Sequence, residues 1–367
     1  MPTKPILVKR TDLPDFKEYS RLIKKLWKSK WITNNGVYAK QLVIELRKYL
    51  GVPHLALLTN GTITLHIALK VLNLPKGGEI ITTPFTFAAT TNVIIWEGFT
   101  PVFVDIDPQT WNIDPKAIEK AITPRTVAIM PVHVYGNPCD VEAIERIAKK
   151  HNLKVIYDAA HAFGVEYKGK SVLNYGDFSS LSFHATKVFH TIEGGALITP
   201  NESMLKQVEY ARNFGIVEFE DQIAFAGTNG KMNEFQAAMG LCNIPNLDKQ
   251  RQQREKIFQL YTSLLSNNPK IRLQKNIASK QNYGYMPVSF ESLNMRDRII
   301  AGLKKKSVFP RKYFYPLTSE FRFSKIYPKD DLTNARRVSD GILCLPLYSS
   351  LSSRQIETIS AVINDYL

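Results

Sequence analysis

Short apolar runs alternate with segments of helical period through residues 55–198 of this 367-residue chain. The segment 140–151 is typical of the helices, because Ile144, Ile147 and Ala148 fall on one face. Strands that alternate with helices usually run parallel in a sheet that is covered on both faces. We therefore expect an α/β fold with a mostly parallel seven-stranded sheet, built from the runs 55–58, 80–82, 102–105, 127–130, 155–158, 180–183 and 196–198.

Two of these strand ends carry the residues of a candidate cofactor site. The run 155–158 ends in Asp158, and the run 180–183 leads to Lys187, which the glycine pair Gly194-Gly195 follows. Ligands of parallel sheets bind outside the carboxyl ends of the strands. Pyridoxal phosphate chemistry needs a lysine that forms a Schiff base with an aldehyde and a carboxylate that keeps a pyridine nitrogen protonated. The pattern therefore predicts a pyridoxal 5'-phosphate site with Lys187 as the catalytic residue.

A candidate phosphate site lies at Gly61 and Thr62, between a strand-like run and a helix-like run over 63–72. Backbone amides at a helix N-terminus bind phosphate, and the hydroxyl groups of Thr62 and Ser182 can add hydrogen bonds. Each signal also has an ordinary explanation: Asn-Gly-Thr as a turn and N-cap, a strand-end aspartate as a cap, and a lysine at the solvated surface. Their joint occurrence favours the cofactor site.

Composition narrows the class of protein. With 44% hydrophobic residues the chain can bury a large core. It has no uninterrupted apolar run of the roughly 20 residues that a membrane span needs, and residues 1–5 lack an apolar signal core, so we expect a cytoplasmic protein. Cys139, Cys242 and Cys344 are far apart and lack neighbours at metal-ligand spacing, so we expect neither a disulfide framework nor a metal site.

The net charge of +15 raises nucleic-acid binding as an alternative. The basic residues are mostly dispersed, however, and the denser groups at 24–30, 304–306 and 311–312 lie in amphipathic segments without an aromatic stacking repeat. Solvated helix faces explain these groups better, and we expect no nucleic-acid partner. Some of the charge can attract an anionic substrate such as a nucleotide diphosphate sugar.

The pattern changes after residue 240. The segment 248–256 is typical of an exposed helix, and a strand over 283–290 and helices over 295–306 and 354–366 follow. We expect a large cofactor-binding domain over 12–240 and a smaller α+β domain over 241–367, which the N-terminal arm 1–11 joins.

Five segments occur in the order found in the DegT/DnrJ/StrS family of sugar aminotransferases, and the resemblance covers nearly the whole chain. They are residues 60–62 (NGT), 84–90 (PFTFAAT), 158–161 (DAAH), 182–187 (SFHATK) and 227–238 (GTNGKMNEFQAA). Gly230 and Lys231 depart from the family pattern, in which a bulky residue and an arginine are common. This departure concerns the geometry of one loop and leaves the chemistry intact.

The resemblance implies a fold of the aspartate aminotransferase type, fold type I of the pyridoxal phosphate-dependent transferases. It also implies a homodimer, because a residue of the second subunit completes the phosphate site in this family. The implied cofactor contacts are Lys187 at the aldehyde, Asp158 at the ring nitrogen, Phe87 stacked on the ring, His161 near the ring hydroxyl, and Gly61, Thr62, Ser182 and the second subunit's equivalent of Asn229 at the phosphate.

Contacts with the sugar substrate are expected from two further places. His184 and His190 flank Lys187, which places both near the site, and His184 is the candidate of the two for a substrate contact. Relatives close a tyrosine-containing segment over the sugar nucleotide, and residues 311–317 resemble it, so Arg311, Tyr313 and Tyr315 are candidates. An aromatic loop packed on the core is the alternative explanation of that segment. His133 is expected to be a hydrogen-bonded core residue.

Segments 34–36, 131–138 and 184–195 most resemble the branch of the family that makes dTDP-4-amino-4,6-dideoxy-D-glucose. The resemblance implies transfer of an amino group from L-glutamate to dTDP-4-keto-6-deoxy-D-glucose, within O-antigen or lipopolysaccharide biosynthesis. Three alternatives remain. The first is the same chemistry on a GDP-linked 4-keto sugar or a 3-keto isomer; the second is a sugar dehydratase, which carries histidine at the lysine position; the third is a regulatory or nucleic-acid-binding protein.

Overall fold

The computed structural model describes residues 5–217, 222–329 and 331–367. Within these ranges the α-helices are α1 (Phe16–Ser29), α2 (Val37–Leu50), α3 (Gly61–Leu72), α4 (Ala88–Trp96), α5 (Pro115–Lys120), α6 (Val141–His151), α7 (Glu202–Ala211), α8 (Glu234–Asn243), α9 (Leu247–Leu265), α10 (Leu293–Lys305), α11 (Thr333–Gly341) and α12 (Ser353–Asp365). The strands are β1 (Ile6–Leu7), β2 (His54–Leu58), β3 (Glu79–Thr82), β4 (Thr100–Phe103), β5 (Thr126–Met130), β6 (Lys154–Asp158), β7 (Glu166–Tyr167), β8 (Lys170–Ser171), β9 (Phe178–Ser182), β10 (Gly195–Thr199), β11 (Ile271–Leu273), β12 (Met286–Phe290), β13 (Val308–Phe309) and β14 (Ile342–Leu345).

The central sheet has seven strands in the order β2-β10-β9-β6-β5-β3-β4. Strand β10 runs antiparallel to both of its neighbours, and all other neighbouring pairs are parallel. The prediction of a mostly parallel seven-stranded sheet is therefore confirmed, and each strand matches its predicted run to within about two residues. The antiparallel strand is possible because a short connection, rather than a helix, leads from β9 to β10.

Helices cover both faces of this sheet. Side chains alternate along β2, so Leu55 and Leu57 enter one apolar cluster with α2 and α6, while Ala56 and Leu58 enter another with α3, α4 and α7. Helix α6 begins at the predicted place, because the Asp140 side chain accepts a hydrogen bond from the Ala143 amide at 3.0 Å. The carboxyl ends of the six parallel strands consequently meet at one edge of the sheet.

A second, smaller sheet follows in the chain. Strands β11, β12 and β14 are antiparallel and share an apolar cluster with α9, α10 and α12. The N-terminal arm reaches this region, since β1 pairs in parallel with β13. The division of the chain at residue 240 stays a prediction. No helix in the described ranges is both long and apolar enough to cross a membrane.

The predicted strand over 283–290 is shorter than expected and begins at Met286. Tyr283 has a left-handed backbone conformation, with φ at 51°. The Asn282 side chain accepts a hydrogen bond from the Gly284 amide at 2.9 Å. A side chain that bonds the backbone locally competes with the sheet ladder, which explains why the prediction was wrong for the first three residues.

Candidate active site

A cavity of about 310 Å³ lies at the carboxyl ends of the parallel strands. It brings together most of the residues that the sequence nominates for the site, from segments that are far apart in the chain. The nominated residues in its wall are Gly61, Thr62, Phe87, Asp158, His161, Ser182, His184, Lys187 and Tyr313. The roles of these residues stay predictions. The expectation that ligands bind outside the carboxyl ends of the strands agrees with the place of the cavity that they share.

Asp158 is the last residue of β6 and is almost fully buried. Its carboxylate accepts a hydrogen bond from Thr90 Oγ1 at 2.7 Å and another from the Ala160 amide at 3.1 Å. Burial raises the pKa of Asp158, while these two hydrogen bonds and the charge of Lys187 oppose the rise. A buried carboxylate that hydrogen bonds keep ionised favours a cationic partner, such as a protonated ring nitrogen.

Lys187 follows β9 in a turn in which its amide donates to the His184 carbonyl oxygen at 2.8 Å. Its Nζ lies 3.4 Å from the hydroxyl oxygen of Tyr285, to which it donates. Burial lowers the pKa of Lys187 to about 8, and the charge of Asp158 opposes this change. A substantial fraction of the amine is therefore uncharged near neutral and mildly alkaline pH, as a nucleophile or a proton acceptor requires.

The N-terminus of α3 forms another wall of the cavity. Asn60 caps the helix, since its side chain accepts from the amides of Thr62 and Ile63. Gly61 packs so closely against β9 that an added Cβ atom would lie 2.7 Å from the Ser182 Cβ atom. A helix N-terminus that is closely approached by a serine hydroxyl suits a phosphate group, through the helix dipole and hydrogen-bond donors.

His161 is held in one orientation. Its Nδ1 accepts a hydrogen bond from the Tyr135 amide at 3.1 Å, so the proton of the neutral ring resides on Nε2. Burial lowers the pKa of His161 well below its usual range, and the charges of Lys187 and Lys9 lower it further. The side chain is thus a neutral hydrogen-bond donor at the cavity wall.

Phe87 differs from an ordinary core phenylalanine, because 60% of its surface is exposed. It directly precedes α4, and its ring lines the cavity. An exposed aromatic face in a cavity wall can stack on a planar ring. Core packing therefore does not explain the position of Phe87, and its stacking on the cofactor ring stays a prediction.

Three nominated residues lie outside this cavity. Asn229 is exposed on the loop before α8 and does not line the cavity of its own chain. Arg311 and Tyr315 line an adjoining groove of about 810 Å³, which shares Lys9, Phe87 and Tyr313, among others, with the cavity.

Two histidines are core residues. The expectation that His190 lies near the site is wrong: it is buried beside the arm, and its Nε2 is 2.9 Å from the Asp12 carbonyl oxygen. His133 is a core residue that stacks on Tyr157, as expected. The segment between Lys187 and His190 turns away from the cavity to contact the arm, and sequence proximity alone could not reveal this.

The structure adds residues that the sequence did not nominate. Lys9 and Tyr285 line the cavity, and Phe314 closes one side of it. Thr90, which bonds Asp158, was already part of the family-like segment 84–90 but received no role. No local pattern could identify Lys9 or Tyr285, because each reaches the site only through long-range packing.

The residues present fit pyridoxal phosphate. Lys187 offers a partly uncharged amine, Asp158 offers a buried carboxylate, and Gly61 and Ser182 form the wall at a helix N-terminus. These are the groups that an aldehyde, a protonated ring nitrogen and a phosphate require.

Comparisons with known proteins agree with this assignment. A profile of the DegT/DnrJ/EryC1/StrS aminotransferase family matches residues 15–364. The chain is 44% identical over 366 residues to the dTDP-4-amino-4,6-dideoxy-D-glucose transaminase of Shigella dysenteriae, with 99% of each chain covered. It is 32% identical over 339 residues to the GDP-perosamine synthase of Escherichia coli O157:H7, with 92% of each covered. The crystal structure of DesI in the presence of its TDP-sugar product matches with a TM-score of 0.91 at 30% identity, covering 98% of this chain and 92% of that one.

Proposed function

Because the chain belongs to the DegT/DnrJ/EryC1/StrS aminotransferase family, we propose that it transfers an amino group to a nucleotide-linked keto sugar with pyridoxal phosphate as cofactor. The proposed substrate is dTDP-4-keto-6-deoxy-D-glucose, and the proposed amino donor is L-glutamate. The products are then dTDP-4-amino-4,6-dideoxy-D-glucose and 2-oxoglutarate. The relative at 44% identity over 99% of both chains supports this choice of sugar.

The observation that carries the proposal is the meeting of Lys187, Asp158 and the N-terminus of α3 in one cavity. When bound, pyridoxal phosphate supplies an aldehyde and an electron-withdrawing ring. Asp158 would hold the proton on the ring nitrogen, and Ser182 with the first residues of α3 would bind the phosphate. Phe87 would orient the ring by stacking on its face.

Lys187 would carry both the attachment and the proton transfer. Its Nζ, once free, takes the proton from the α-carbon of the donor and later returns a proton, so the same amine serves both half-reactions. The lowered pKa of Lys187, about 8, supports this role because a fully charged amine cannot accept a proton. Tyr285 would hold the free amine in the cavity through its hydroxyl oxygen.

We propose a homodimer in which Asn229 completes the phosphate site of the partner subunit. Several large, exposed apolar side chains lie close together in the chain on and beside α1 and α2, and this supports an interface, since clustered apolar surface marks interaction sites. They include Phe16 at 80% exposed, Trp27 at 70%, Trp31 at 59% and Val37 at 77%.

A GDP-linked 4-keto-6-deoxymannose is the second candidate substrate. The 32% identity to a GDP-perosamine synthase over 92% of both chains favours it as an alternative. Lys187 argues against the related dehydratase chemistry, in which histidine takes the place of the lysine.

The test is to incubate the purified protein with pyridoxal phosphate, L-glutamate and either nucleotide sugar, and to analyse the products by mass spectrometry and NMR. We expect an equatorial amine at C4 of the dTDP sugar and no product with Lys187→Ala, which should fold like the natural protein. Amination of the GDP sugar alone would replace the proposed substrate. Product formation by Lys187→Ala would contradict the assignment of the catalytic residue.

A further inference from the structure

A second lysine, Lys9, enters the cavity from the N-terminal arm. The arm is fixed on both sides of it, since β1 pairs with β13 before Lys9 and Thr11 Oγ1 donates to the Ala185 carbonyl oxygen at 3.0 Å after it. The Nζ atom of Lys9 lies 4.3 Å from the centroid of the Tyr285 ring and donates to the Gly284 carbonyl oxygen. The proposed function gives no role to this residue.

The two lysines contact the same tyrosine at different atoms. Lys187 donates to the Tyr285 hydroxyl, and Lys9 lies over the ring face. Tyr285 therefore fixes a second cation beside the amine that performs the chemistry. Any group that Lys9 binds lies close to the reacting carbon of a substrate held at Lys187.

Lys9 is the cation available to a substrate in the inner cavity. Among the described residues of this chain that line it, Lys9 and Lys187 are the two lysine or arginine side chains. Lys187 is committed to the cofactor and to proton transfer. An amino-acid donor brings at least one carboxylate into this enclosed space, and a carboxylate that leaves water without a cationic partner costs several kcal/mol.

Other cationic side chains, in the adjoining groove, can bind the nucleotide sugar. Lys9 lies where the cavity opens into the wider groove, and that groove carries Lys304, Arg311 and Lys312 beside aromatic side chains. Cations and aromatic rings in an open groove suit a diphosphate and a base. Within the cavity, the described residues of this chain offer the donor no such alternative. We propose, on the basis of the proposed function, that Lys9 binds a carboxylate of the amino donor.

The charge state of Lys9 fits a ligand-dependent role. Burial lowers the pKa of Lys9 to about 7, and the charges of Arg254 and Lys187 contribute in the same direction, while Cys344 and Asp12 oppose it. A carboxylate placed against the amine raises its pKa again. Lys9 thus takes up a proton when the donor binds above neutral pH and loses it when the donor leaves.

The experiment measures the two half-reactions separately for the natural protein and three variants. Lys9→Met removes the charge and keeps the stem, Lys9→Arg restores a cation, and Arg311→Met removes a groove cation. The protein in its pyridoxal phosphate form is mixed with L-glutamate, and the aminated form is mixed with the keto sugar. The absorbance of the cofactor follows each half-reaction and gives the substrate concentration at which its rate is half-maximal. Calorimetry of 2-oxoglutarate binding to the pyridoxal phosphate form adds a measurement without turnover.

We expect Lys9→Met to raise the half-maximal glutamate concentration roughly 10- to 150-fold, as the loss of one charge-assisted hydrogen bond implies. Its 2-oxoglutarate affinity should fall to a similar extent, and its response to the sugar should change less than about twofold. Lys9→Arg should recover most of the glutamate response, because a cation is restored. Arg311→Met should show the opposite pattern, with the sugar response weakened and the glutamate response retained.

Three results would overturn the inference. A weakened sugar response with unchanged glutamate response assigns Lys9 to the diphosphate. Unchanged responses in both half-reactions make Lys9 a packing residue, and equal losses without rescue by arginine indicate a structural role. Failure of the natural protein to react with glutamate refutes the proposed donor instead, and the same comparison of variants with the other amino acids as donors then decides the role of Lys9.

Discussion

Replacing Thr90 with valine removes the side-chain hydrogen bond to Asp158 at the proposed cofactor site. Thr90 Oγ1 donates to the Asp158 carboxylate at 2.7 Å and also lies 2.9 Å from Thr86 Oγ1. Thr90 is fully buried and Asp158 is nearly so. Valine has nearly the shape of threonine, so Thr90→Val removes both hydrogen bonds with little change in packing.

The expected size of the effect follows from the charge of the acceptor. A hydrogen bond to a charged group contributes about 1.5–3 kcal/mol, and each 1.4 kcal/mol is about tenfold, so the loss corresponds to roughly 10- to 150-fold. Thr90 is also one of the groups that lower the pKa of Asp158, so Thr90→Val raises that pKa. The carboxylate then holds the ring proton less well, and both cofactor affinity and the glutamate half-reaction should weaken.

The neighbouring Thr91 supplies a matched control. It is equally buried on α4, and its Oγ1 donates to Thr318 Oγ1 at 2.8 Å rather than to Asp158. Thr91→Val makes the same chemical change and should lower stability by about 1 kcal/mol without affecting the cofactor. Absorbance titration gives the cofactor affinity, stopped-flow gives the half-reaction rate, and the melting temperature gives stability. Equal cofactor affinity and equal rates in the two variants would refute the proposed role of Asp158.

Four further results are expected. Because burial lowers the pKa of Lys187 to about 8, attachment of the cofactor to cofactor-free protein should accelerate with a midpoint near pH 8. Asp158→Asn should move this midpoint to lower pH, since the carboxylate raises that pKa, and an unmoved midpoint would argue against their coupling. Glu234 accepts hydrogen bonds from three amides at the start of α2. Glu234→Gln should therefore lower the free energy of unfolding, measured with urea, by about 3 kcal/mol. A loss below about 1 kcal/mol would contradict this expectation. Mixed dimers of Asn229→Ala and Lys187→Ala chains should recover up to about a quarter of the natural activity, whereas no recovery would mean that Asn229 serves its own chain.

The sheet and the polar residues at its edge were predictable because their signals are local. Apolar runs of strand length specify β2 or β6 without reference to distant residues, and the rule for parallel sheets then places Asp158 and Lys187 at one edge. Backbone details were harder to predict, as the left-handed conformation of Tyr283 shows. The start of β12 depends on a hydrogen bond from the Gly284 amide to the Asn282 side chain, which apolar patterning does not indicate.

Residues that close the cavity could not be predicted in this way. Lys9 reaches the site because β1 pairs with β13, and Tyr285 reaches it because β12 lies in the second sheet. Both contacts depend on how distant segments pack, and neither segment has a composition that marks it as functional. The resemblance to a family supports Asp158 and Lys187 but missed Lys9, because the recognisable segments surround the cofactor site on the larger sheet.

The electrostatics of the cavity connect the two proposals. In the free protein burial lowers the pKa of both lysines, that of Lys9 to about 7 and that of Lys187 to about 8. The proposed chemistry needs Lys187 to accept a proton while Lys9 stays charged to hold a carboxylate. A donor carboxylate raises the pKa of Lys9, and the positive charge of a protonated ring beside Asp158 lowers that of Lys187. Binding of cofactor and donor therefore shifts the two pKa values in opposite directions, and both shifts favour the protonation states that the proposed chemistry requires.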